Sequence, residues 1–369
     1  MCSGAGRASV ATIPRMNKPD AATQLVSPCA FSHYAARRRR MSAAQDIEEG
    51  TMSDRIGGLH HITLCTGSAQ GDVDLLYKTL GMSLVKRTLL YDGGAPIMHL
   101  YFGNDTGDPG TLTTVFPFRQ DGRKAKRGAG QIDMCSYSVP KGAVPYWRER
   151  LTERGVTITR VHERFGQQVL EFEHPDCGLS FELIEDPGDD RKPFVGGGVP
   201  AEYALRGFHS WTVKVREPED MDFFLKEAWN YQPLGHDGAY TRYAVNDGAA
   251  AHIVDVHNAP EARSGSWFYG EGMIHHGAFG VPSLDVQQQV KDEVEGLGLT
   301  DFSDRKNRGY FESIYVRTPG GALFEATHSL SFDVDEPADK LGREFIVSPQ
   351  FDDQKEDLLR QLNDPFELN

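Results

Sequence analysis

Strand-like and helical segments alternate four times along the chain from residue 57 onward. Four short runs rich in apolar and β-branched residues open the repeats: Leu59–Thr66, Ile132–Val139, Phe208–Val215 and Ile274–Val281. Each is followed by a segment that we expect to be helical: Gly71–Gly81, Gly142–Gly155, Glu217–Asn230 and Ser283–Gly296. Two or three further strand-like runs follow each helix. The pattern predicts four copies of one βαβββ unit, units one to four in chain order.

The closing strands of two units are alike. Leu179–Leu183 in unit two and Ala322–Ala326 in unit four each contain Phe-Glu, three residues after a glycine. A βαβββ unit has an apolar sheet face that it cannot bury alone, so we expect two units side by side to form a curved, partly closed sheet of eight strands. The prediction is an α+β fold with two such mixed sheets in two domains. This arrangement resembles the vicinal-oxygen-chelate superfamily, which includes glyoxalases, extradiol dioxygenases and antibiotic-sequestering proteins.

The units also suggest a division of the chain. The predicted segments are a disordered extension (1–55), an N-terminal pair of units (56–200), a C-terminal pair of units (201–330) and a C-terminal extension packed on the core (331–369). The first segment lacks a hydrophobic period and contains the four arginines Arg37–Arg40, and Met52 is an alternative start. Arg191–Ala201 is rich in Gly and Pro and is interpreted as a linker, and one helix is expected over Asp353–Leu362.

Charge and cysteine usage exclude several classes of function. The 39 Lys and Arg residues face 53 Asp and Glu residues, a net charge of -14. Such an acidic chain is a poor partner for nucleic acid or an anionic membrane, and neither is expected. No apolar run is long enough for a transmembrane helix. The five cysteines form no CxxC pair and favour a reducing cytoplasm over a disulfide framework.

Two histidine pairs occupy the same place in their repeats, His60-His61 in unit one and His275-His276 in unit four. Because successive strand residues point to opposite faces, we expect one histidine of each pair to face the cleft and the other to point away or lie at its edge. Glu325 lies on an apolar closing strand, where an unpaired carboxylate is costly to bury. Two inward histidines and Glu325 would form a facial triad with three open positions on an octahedral ion, as in non-haem Fe(II) oxygenases.

The residues alone leave alternatives open. His209 lies at nearly the same register in unit three, so His209, His276 and Glu325 form a rival ligand set. Glu182 repeats the position of Glu325, but its own opening strand carries no histidine, so we interpret it as a vestigial or structural carboxylate. Cys65, close to the first pair, is expected to be a small buried hydrophobe rather than a ligand.

Longer motifs narrow the resemblance to one family. The segments that carry it are His60–Gly67, Tyr91–Phe102, Gly110–Pro117, Arg206–Thr212, Asp220–Phe224 and Asp301–Ser313. They resemble hydroquinone 1,2-dioxygenases, which open the rings of hydroquinone and chlorohydroquinones, and the likeness extends from about residue 56 to about residue 353. The resemblance implies an Fe(II)-dependent, extradiol-type enzyme that inserts both atoms of O2 into a small aromatic substrate and yields a maleylacetate-type product. Family habit and the sheet edges also imply a homo-oligomer.

The resemblance further implies roles for individual residues. It selects the second histidine of each pair, so the metal ligands would be His61, His276 and Glu325. The catalytic residues would be His60, His275, Tyr315 and Arg308. Of these, the two histidines suit either orienting the metal ligands or acid–base work near neutral pH. The arginine would stabilise a developing anionic oxygen, and the tyrosine or a histidine would donate a proton. The substrate pocket would be lined by Thr63, Arg308 and Tyr315.

Two other classes of function share this scaffold. A glyoxalase-type isomerase would use Zn(II), Ni(II) or Co(II), needs no O2 and usually has a second carboxylate ligand. A metal-free resistance protein that binds an aromatic drug has no use for a facial triad, so His61→Ala would leave its binding intact.

Overall fold

The structure is a computed structural model that describes residues 55–91, 94–119, 122–330, 336, 340–362 and 365–368. The strands are β1 (Leu59–Thr66), β2 (Ser83–Leu90), β3 (Ile97–Gly103), β4 (Leu112–Pro117), β5 (Gln131–Val139), β6 (Ile158–Arg164), β7 (Gln167–Glu173), β8 (Ser180–Glu185), β9 (Phe208–Val215), β10 (Gln232–Asp237), β11 (Tyr240–Ala244), β12 (Ile253–Asn258), β13 (Met273–Gly280), β14 (Lys306–Asn307), β15 (Phe311–Arg317) and β16 (Leu323–Ser329). The helices are α1 (Ala69–Asp72), α2 (Val144–Glu153), α3 (Pro218–Phe223), α4 (Leu284–Gly296) and α5 (Lys355–Gln361).

The predicted order of strand, helix and three strands recurs in all four units. π-Helical turns at Val73–Thr79 and Phe224–Ala228 extend α1 and α3. Ser283 caps α4 by accepting a hydrogen bond from the backbone N–H of Val286. Helix α2 buries the apolar residues that recur at helical spacing, among them Trp147. Local sequence therefore determines where each element begins and which face it buries.

Two curved, mixed sheets of eight strands confirm the predicted α+β class. The first sheet has the order β14-β15-β16-β13-β1-β4-β3-β2, and the second has the order β10-β11-β12-β9-β5-β8-β7-β6. At the centre of each sheet, the opening strands of two units pair antiparallel and so join the units, β1 with β13 in the first sheet and β5 with β9 in the second. The first sheet therefore combines units one and four, and the second combines units two and three.

The predicted pairs, units one and two at the N-terminal side and units three and four at the C-terminal side, do not form the sheets, so this part of the prediction is wrong. Residues 56–200 and 201–330 each contribute half of both sheets, so a boundary near residue 200 does not separate the sheets. The opening strand of every unit pairs along one edge with a strand of its own unit and along the other edge with the opening strand of a second unit. Because all four opening strands offer a similar edge, the sequence pattern does not specify which unit pairs with which.

The two sheets pack against each other through a continuous apolar core. Trp211 of β9 lies against Gly277 of β13, where a Cβ atom would stand 2.5 Å from the indole ring. Phe279 contacts Trp211 and Trp229 edge to face. Glycine at position 277 thus permits the close approach of the second sheet behind a strand of the first.

The C-terminal segment lies beside β2. The backbone N–H of Ile346 donates to the carbonyl of Arg87, and Leu358 of α5 packs with Leu89 and Val347. Helix α5 falls within the predicted 353–362. Of the predicted N-terminal extension (1–55), only Arg55 is among the described residues. Residues 331–335 and 337–339 of the C-terminal segment also lie outside the described residues. Among the described helices, none is both long and apolar enough to cross a membrane.

Candidate metal centre and substrate pocket

Three neighbouring strands of the first sheet bring together the residues that the resemblance implies as ligands. His61 lies on β1, His276 on β13 and Glu325 on β16, and all three are buried. Nε2 of His276 lies 2.8 Å from Oε2 of Glu325 and 3.3 Å from Nε2 of His61. One ligand atom from each side chain falls within 4.8 Å of the other two. The arrangement forms a compact set of two imidazole nitrogens and one carboxylate oxygen.

The surroundings of Glu325 fit a bound cation. Its Oε1 accepts a hydrogen bond from Ser313, whereas Oε2 is buried, faces both imidazoles and makes no hydrogen bond of acceptable geometry with described residues. Burial alone would raise the pKa of Glu325, but His61 and His276 outweigh burial, and the pKa lies well below its usual value. A buried, ionised and orphaned carboxylate oxygen beside two imidazole nitrogens is the environment that a divalent metal ion satisfies.

Two β-bulges explain why histidines occur in pairs. In the β1–β13 ladder, His60 and His275 each lie at a register shift as the extra residue of their strand. Nδ1 of His60 lies 3.1 Å from Nδ1 of His61, and the corresponding nitrogens of His275 and His276 are 2.8 Å apart. Because each bulge interrupts the strand period and brings the two rings together, the alternative in which the other histidine of a pair points away from the cleft is wrong.

His60 is held at both ring nitrogens. Its Nε2 lies 2.5 Å from the hydroxyl of Ser329, and its Nδ1 contacts His61. Burial lowers its pKa to about 4, so the expected near-neutral pKa is wrong and the ring is neutral at pH 7. Phe311 stacks on His61 with ring centroids 4.8 Å apart. These contacts suit His60 for orienting His61 rather than for touching a substrate.

Ser329→Ala should weaken metal binding. The substitution removes the partner of His60 Nε2, so the ring that orients His61 is no longer anchored. We expect the affinity for Fe(II) to fall about tenfold, the lower end for partners of metal ligands. Ser329→Thr retains the hydroxyl and should restore the affinity. Titration against a competing chelator measures both, and equal affinities for Ser329→Ala and the wild-type chain would contradict the assignment.

His275 differs from His60 in having a nitrogen available to a ligand. Its Nδ1 contacts His276, and its ring stacks on Tyr269 with centroids 3.6 Å apart. Within the described part of the chain, Nε2 makes no hydrogen bond. Burial and the neighbouring His276 lower its pKa well below the usual value, again contrary to the near-neutral expectation. His275 is thus a neutral, half-buried imidazole fixed against an aromatic ring.

The three predicted pocket residues lie beside the ligands. Thr63 Oγ1 is 3.0 Å from Nε2 of His276, and the ring of Tyr315 meets that of His276 edge to face at 5.4 Å. Arg308 donates through Nε to the hydroxyl of Tyr315 at 3.3 Å. Burial opposes the charge on Arg308, but Tyr315 and Glu325 raise the net pKa, so the guanidinium stays charged. Burial raises the pKa of Tyr315, which keeps its proton.

Sequence reasoning missed His99 and Tyr101 of β3. Nε2 of His99 lies 3.0 Å from Oγ1 of Thr114, which bonds in turn to Thr63. The charges of His61 and of Arg308 both influence the pKa of His99, which places it at the same pocket. The signal was present in the alternation of Met98, His99, Leu100 and Tyr101, which puts the two polar residues on one face of the strand.

Comparison with known proteins identifies the family. No family model matches the chain. It is, however, 57% identical over 316 residues to the chlorohydroquinone/hydroquinone 1,2-dioxygenase of Sphingobium indicum, covering 85% of this chain and 98% of that protein. The chain belongs to the hydroquinone 1,2-dioxygenase family of ring-cleaving dioxygenases. The Bacillus subtilis protein named "Putative ring-cleaving dioxygenase MhqO" is 33% identical over 322 residues, covering 86% of this chain and 99% of that protein.

Solved structures agree with this membership. The crystal structure of a "putative dioxygenase" from Bacillus subtilis superposes with a TM-score of 0.78 at 31% identity, covering 86% of this chain and 99% of that one. Maize glyoxalase I superposes with a TM-score of 0.52 at 16% identity, covering 73% and 92% of the two chains, which shows a shared fold alone. The sequence-based resemblance to the hydroquinone 1,2-dioxygenases is confirmed.

In this hydroquinone 1,2-dioxygenase family member, the second sheet carries ion pairs where the first carries the ligands. Arg164 forms two hydrogen bonds of 2.6 Å with Glu182, the counterpart of Glu325, and Ser136 donates a third. His209 lies in this second sheet, bonded to Gln167 at 3.1 Å. The rival ligand set with His209 is therefore excluded, and Glu182 is a structural carboxylate.

Cys65 is also outside the ligand set. It is buried beside Phe116 and Met273, and burial raises the pKa of its thiol. A protonated thiol among apolar neighbours is a packing residue.

Arg164→Met should destabilise the fold strongly. It leaves Glu182 buried without its cation, and breaking a buried pair in this way costs about 3 kcal/mol in the free energy of unfolding. The double variant Arg164→Met with Glu182→Leu removes both charges and should lose much less. Denaturant titration of the wild-type chain and the two variants measures the difference. A single variant as stable as the wild-type chain would contradict the role of the pair.

Proposed function

We propose that this chain is an Fe(II)-dependent, extradiol-type dioxygenase that inserts both atoms of O2 into the ring of hydroquinone or a chlorohydroquinone. Hydroquinone would give a ring-opened aldehyde acid, and a chlorohydroquinone would give a maleylacetate-type product after water replaces chloride. The observation that carries the proposal is the cluster of His61, His276 and Glu325 in a chain 57% identical to a relative named for activity on these compounds. A cytoplasmic location and a homo-oligomeric state stay predictions of the sequence.

The donor set supports the choice of metal. Two imidazoles and one carboxylate with open positions are typical of non-haem Fe(II) oxygenases. His61, His276 and Glu325 would hold the ion, which when bound would supply open positions for the aromatic diol and O2 and a route for electrons between them. The isomerase alternative usually has a second carboxylate, whereas the ligand group found among the described residues has one.

The surrounding side chains would provide the acid–base and electrostatic work. Arg308 is charged and fixed against Tyr315, so it can stabilise negative charge on an oxygen of the opening ring. Tyr315 retains its phenolic proton and can donate it as the ring opens. His275 is neutral, and because its Nδ1 would accept the Nδ1 hydrogen of a metal-bound His276, its Nε2 carries a hydrogen that it can donate to an oxygen of the substrate. Thr63 would contact a substrate oxygen next to His276.

Oxygen labelling tests the proposal. The Fe(II)-loaded protein is incubated with hydroquinone or chlorohydroquinone under ¹⁸O2, and the product is analysed by mass spectrometry. We expect an open-chain product with two labelled atoms, less any carboxylate exchange measured separately with H2¹⁸O. His61→Ala should give none. A ring-hydroxylated product with one label, or an unlabelled isomer, would contradict the proposal.

A further inference from the structure

A line of hydrogen-bonding groups crosses four neighbouring strands and ends at the candidate metal centre. The hydroxyl of Tyr101 lies 3.1 Å from Nδ1 of His99, and Nε2 of His99 lies 3.0 Å from Oγ1 of Thr114. Oγ1 of Thr114 lies 2.8 Å from Oγ1 of Thr63, which lies 3.0 Å from Nε2 of His276. The line thus follows the sheet order β3-β4-β1-β13.

The chemistry of these groups gives the line a direction. Burial raises the pKa of Tyr101, so its phenol keeps its hydrogen and can donate it to Nδ1 of His99. Burial lowers the pKa of His99, so the ring is neutral and carries one N–H. With Nδ1 accepting, that hydrogen is on Nε2 and is donated to Thr114. Thr114 accepts from His99 and, in the same direction along the line, donates its own hydrogen to Thr63.

The direction decides what Thr63 can do. Its oxygen accepts from Thr114, so its own hydrogen is not used within the line. The neighbouring Nε2 of His276 is a proposed metal ligand, and a lone pair given to a metal cannot also accept a hydrogen bond. The Thr63 hydrogen is then left for a molecule in the pocket.

We propose that Tyr101, His99 and Thr114 are positioning residues that fix the Thr63 hydroxyl as a hydrogen-bond donor to an anionic oxygen of the aromatic substrate. This inference rests on the proposed function. Reversal of the line would have the opposite effect: Thr63 would donate to Thr114 and present a lone pair to the anion. A hydrogen donated by Tyr101 to Nδ1 of His99 excludes this reversal, because the single hydrogen of the neutral ring is then on Nε2.

The first test reads the tautomer of His99 without substrate or metal. Long-range ¹H–¹⁵N correlation spectra of the metal-free, ¹⁵N-histidine-labelled chain distinguish a proton on Nε2 from one on Nδ1, and His99→Gln identifies the signals. We expect the proton on Nε2 in the wild-type chain and a shift toward Nδ1 in Tyr101→Phe. A proton on Nδ1 in the wild-type chain overturns the proposal, whether or not the proposed function holds.

The second test measures anaerobic binding of hydroquinone to the Fe(II)-loaded chain by calorimetry. Tyr101→Phe should raise the Kd about tenfold at unchanged iron content, the size expected for a hydrogen bond to a charged group. In a Thr63→Val background the same substitution should have no effect, because the group through which it acts is gone. Equal effects in both backgrounds would overturn the proposal, as would an unchanged Kd in Tyr101→Phe.

A neighbouring threonine supplies the matched control. Thr113 bonds at 2.6 Å to the hydroxyl of Tyr137, and it precedes Thr114 on β4 with its side chain on the opposite face. Thr113→Val removes a comparable buried hydroxyl and should leave both the His99 tautomer and the Kd for hydroquinone unchanged. A rise in Kd equal to that of Tyr101→Phe would show a general loss of packing and overturn the proposed route.

Discussion

Glu325→Gln is expected to lower the affinity for Fe(II) more than 100-fold and to abolish turnover of hydroquinone. Glu325 supplies the one anionic atom of the proposed ligand set, and its Oε2 lies 2.8 Å from Nε2 of His276. Loss of a partner that only orients a metal ligand already costs about 10–100-fold in affinity, so loss of a ligand should cost more. The amide preserves the shape of the side chain and can still accept from Ser313, which limits damage to the fold.

Glu182→Gln is the matched control for this prediction. Glu182 occupies the equivalent position of the second sheet, is equally buried and is paired with Arg164. Its substitution should lower stability but leave the iron affinity per folded molecule unchanged. Chelator competition with both variants, after their folded fractions are matched, makes the comparison. If Glu325→Gln bound iron as tightly as Glu182→Gln, the candidate metal centre would be wrongly placed.

Arg308→Met is expected to reduce kcat/KM for hydroquinone about 10²–10³-fold while iron content stays at the wild-type level. The guanidinium is charged, lies over the ring of Tyr315 at 5.5 Å and is bonded to its hydroxyl. Removing a fixed donor from developing negative charge has a cost of this size in other enzymes. Steady-state kinetics with quantified iron measures it.

Two further arginine variants sharpen this second prediction. Arg308→Lys keeps the charge but not the planar, multiple-donor geometry, so it should recover only part of the loss. Arg305→Met alters an exposed arginine that bonds to Gln287 of α4 rather than to Tyr315, and it should retain wild-type kinetics. Wild-type kinetics in Arg308→Met, or a loss explained entirely by missing iron, would contradict the role given to Arg308.

The fold was predictable wherever a local pattern determines it. The opening strands, the helices and the closing Phe-Glu strands each follow from residue spacing within a short segment. The pairing of unit one with unit four did not follow from the sequence, because the four opening strands β1, β5, β9 and β13 all pair with another unit along a similar edge. Packing over long sequence separations, such as Trp211 against Gly277, is absent from any local pattern.

In the candidate site too, the sequence predicted what a local pattern determines and missed what depends on pairing between strands. The repeated histidine pairs and Glu325 are visible in the sequence because the repeat places them at matching positions. The bulges at His60 and His275 were not visible, since a strict two-residue strand period assigns the pair to opposite faces. The ion pair of Arg164 and Glu182 was also hidden, because its partners lie on β6 and β8 with β7 between them.

Oxygen uptake by the full chain, loaded anaerobically with measured amounts of Fe(II), tests the central claim most directly. On addition of hydroquinone, we expect one O2 consumed per hydroquinone, at an initial rate proportional to bound iron. Uptake should be lost when iron is removed by a chelator and restored when Fe(II) is returned. No uptake by fully iron-loaded protein, or uptake at a rate independent of bound iron, would contradict the account.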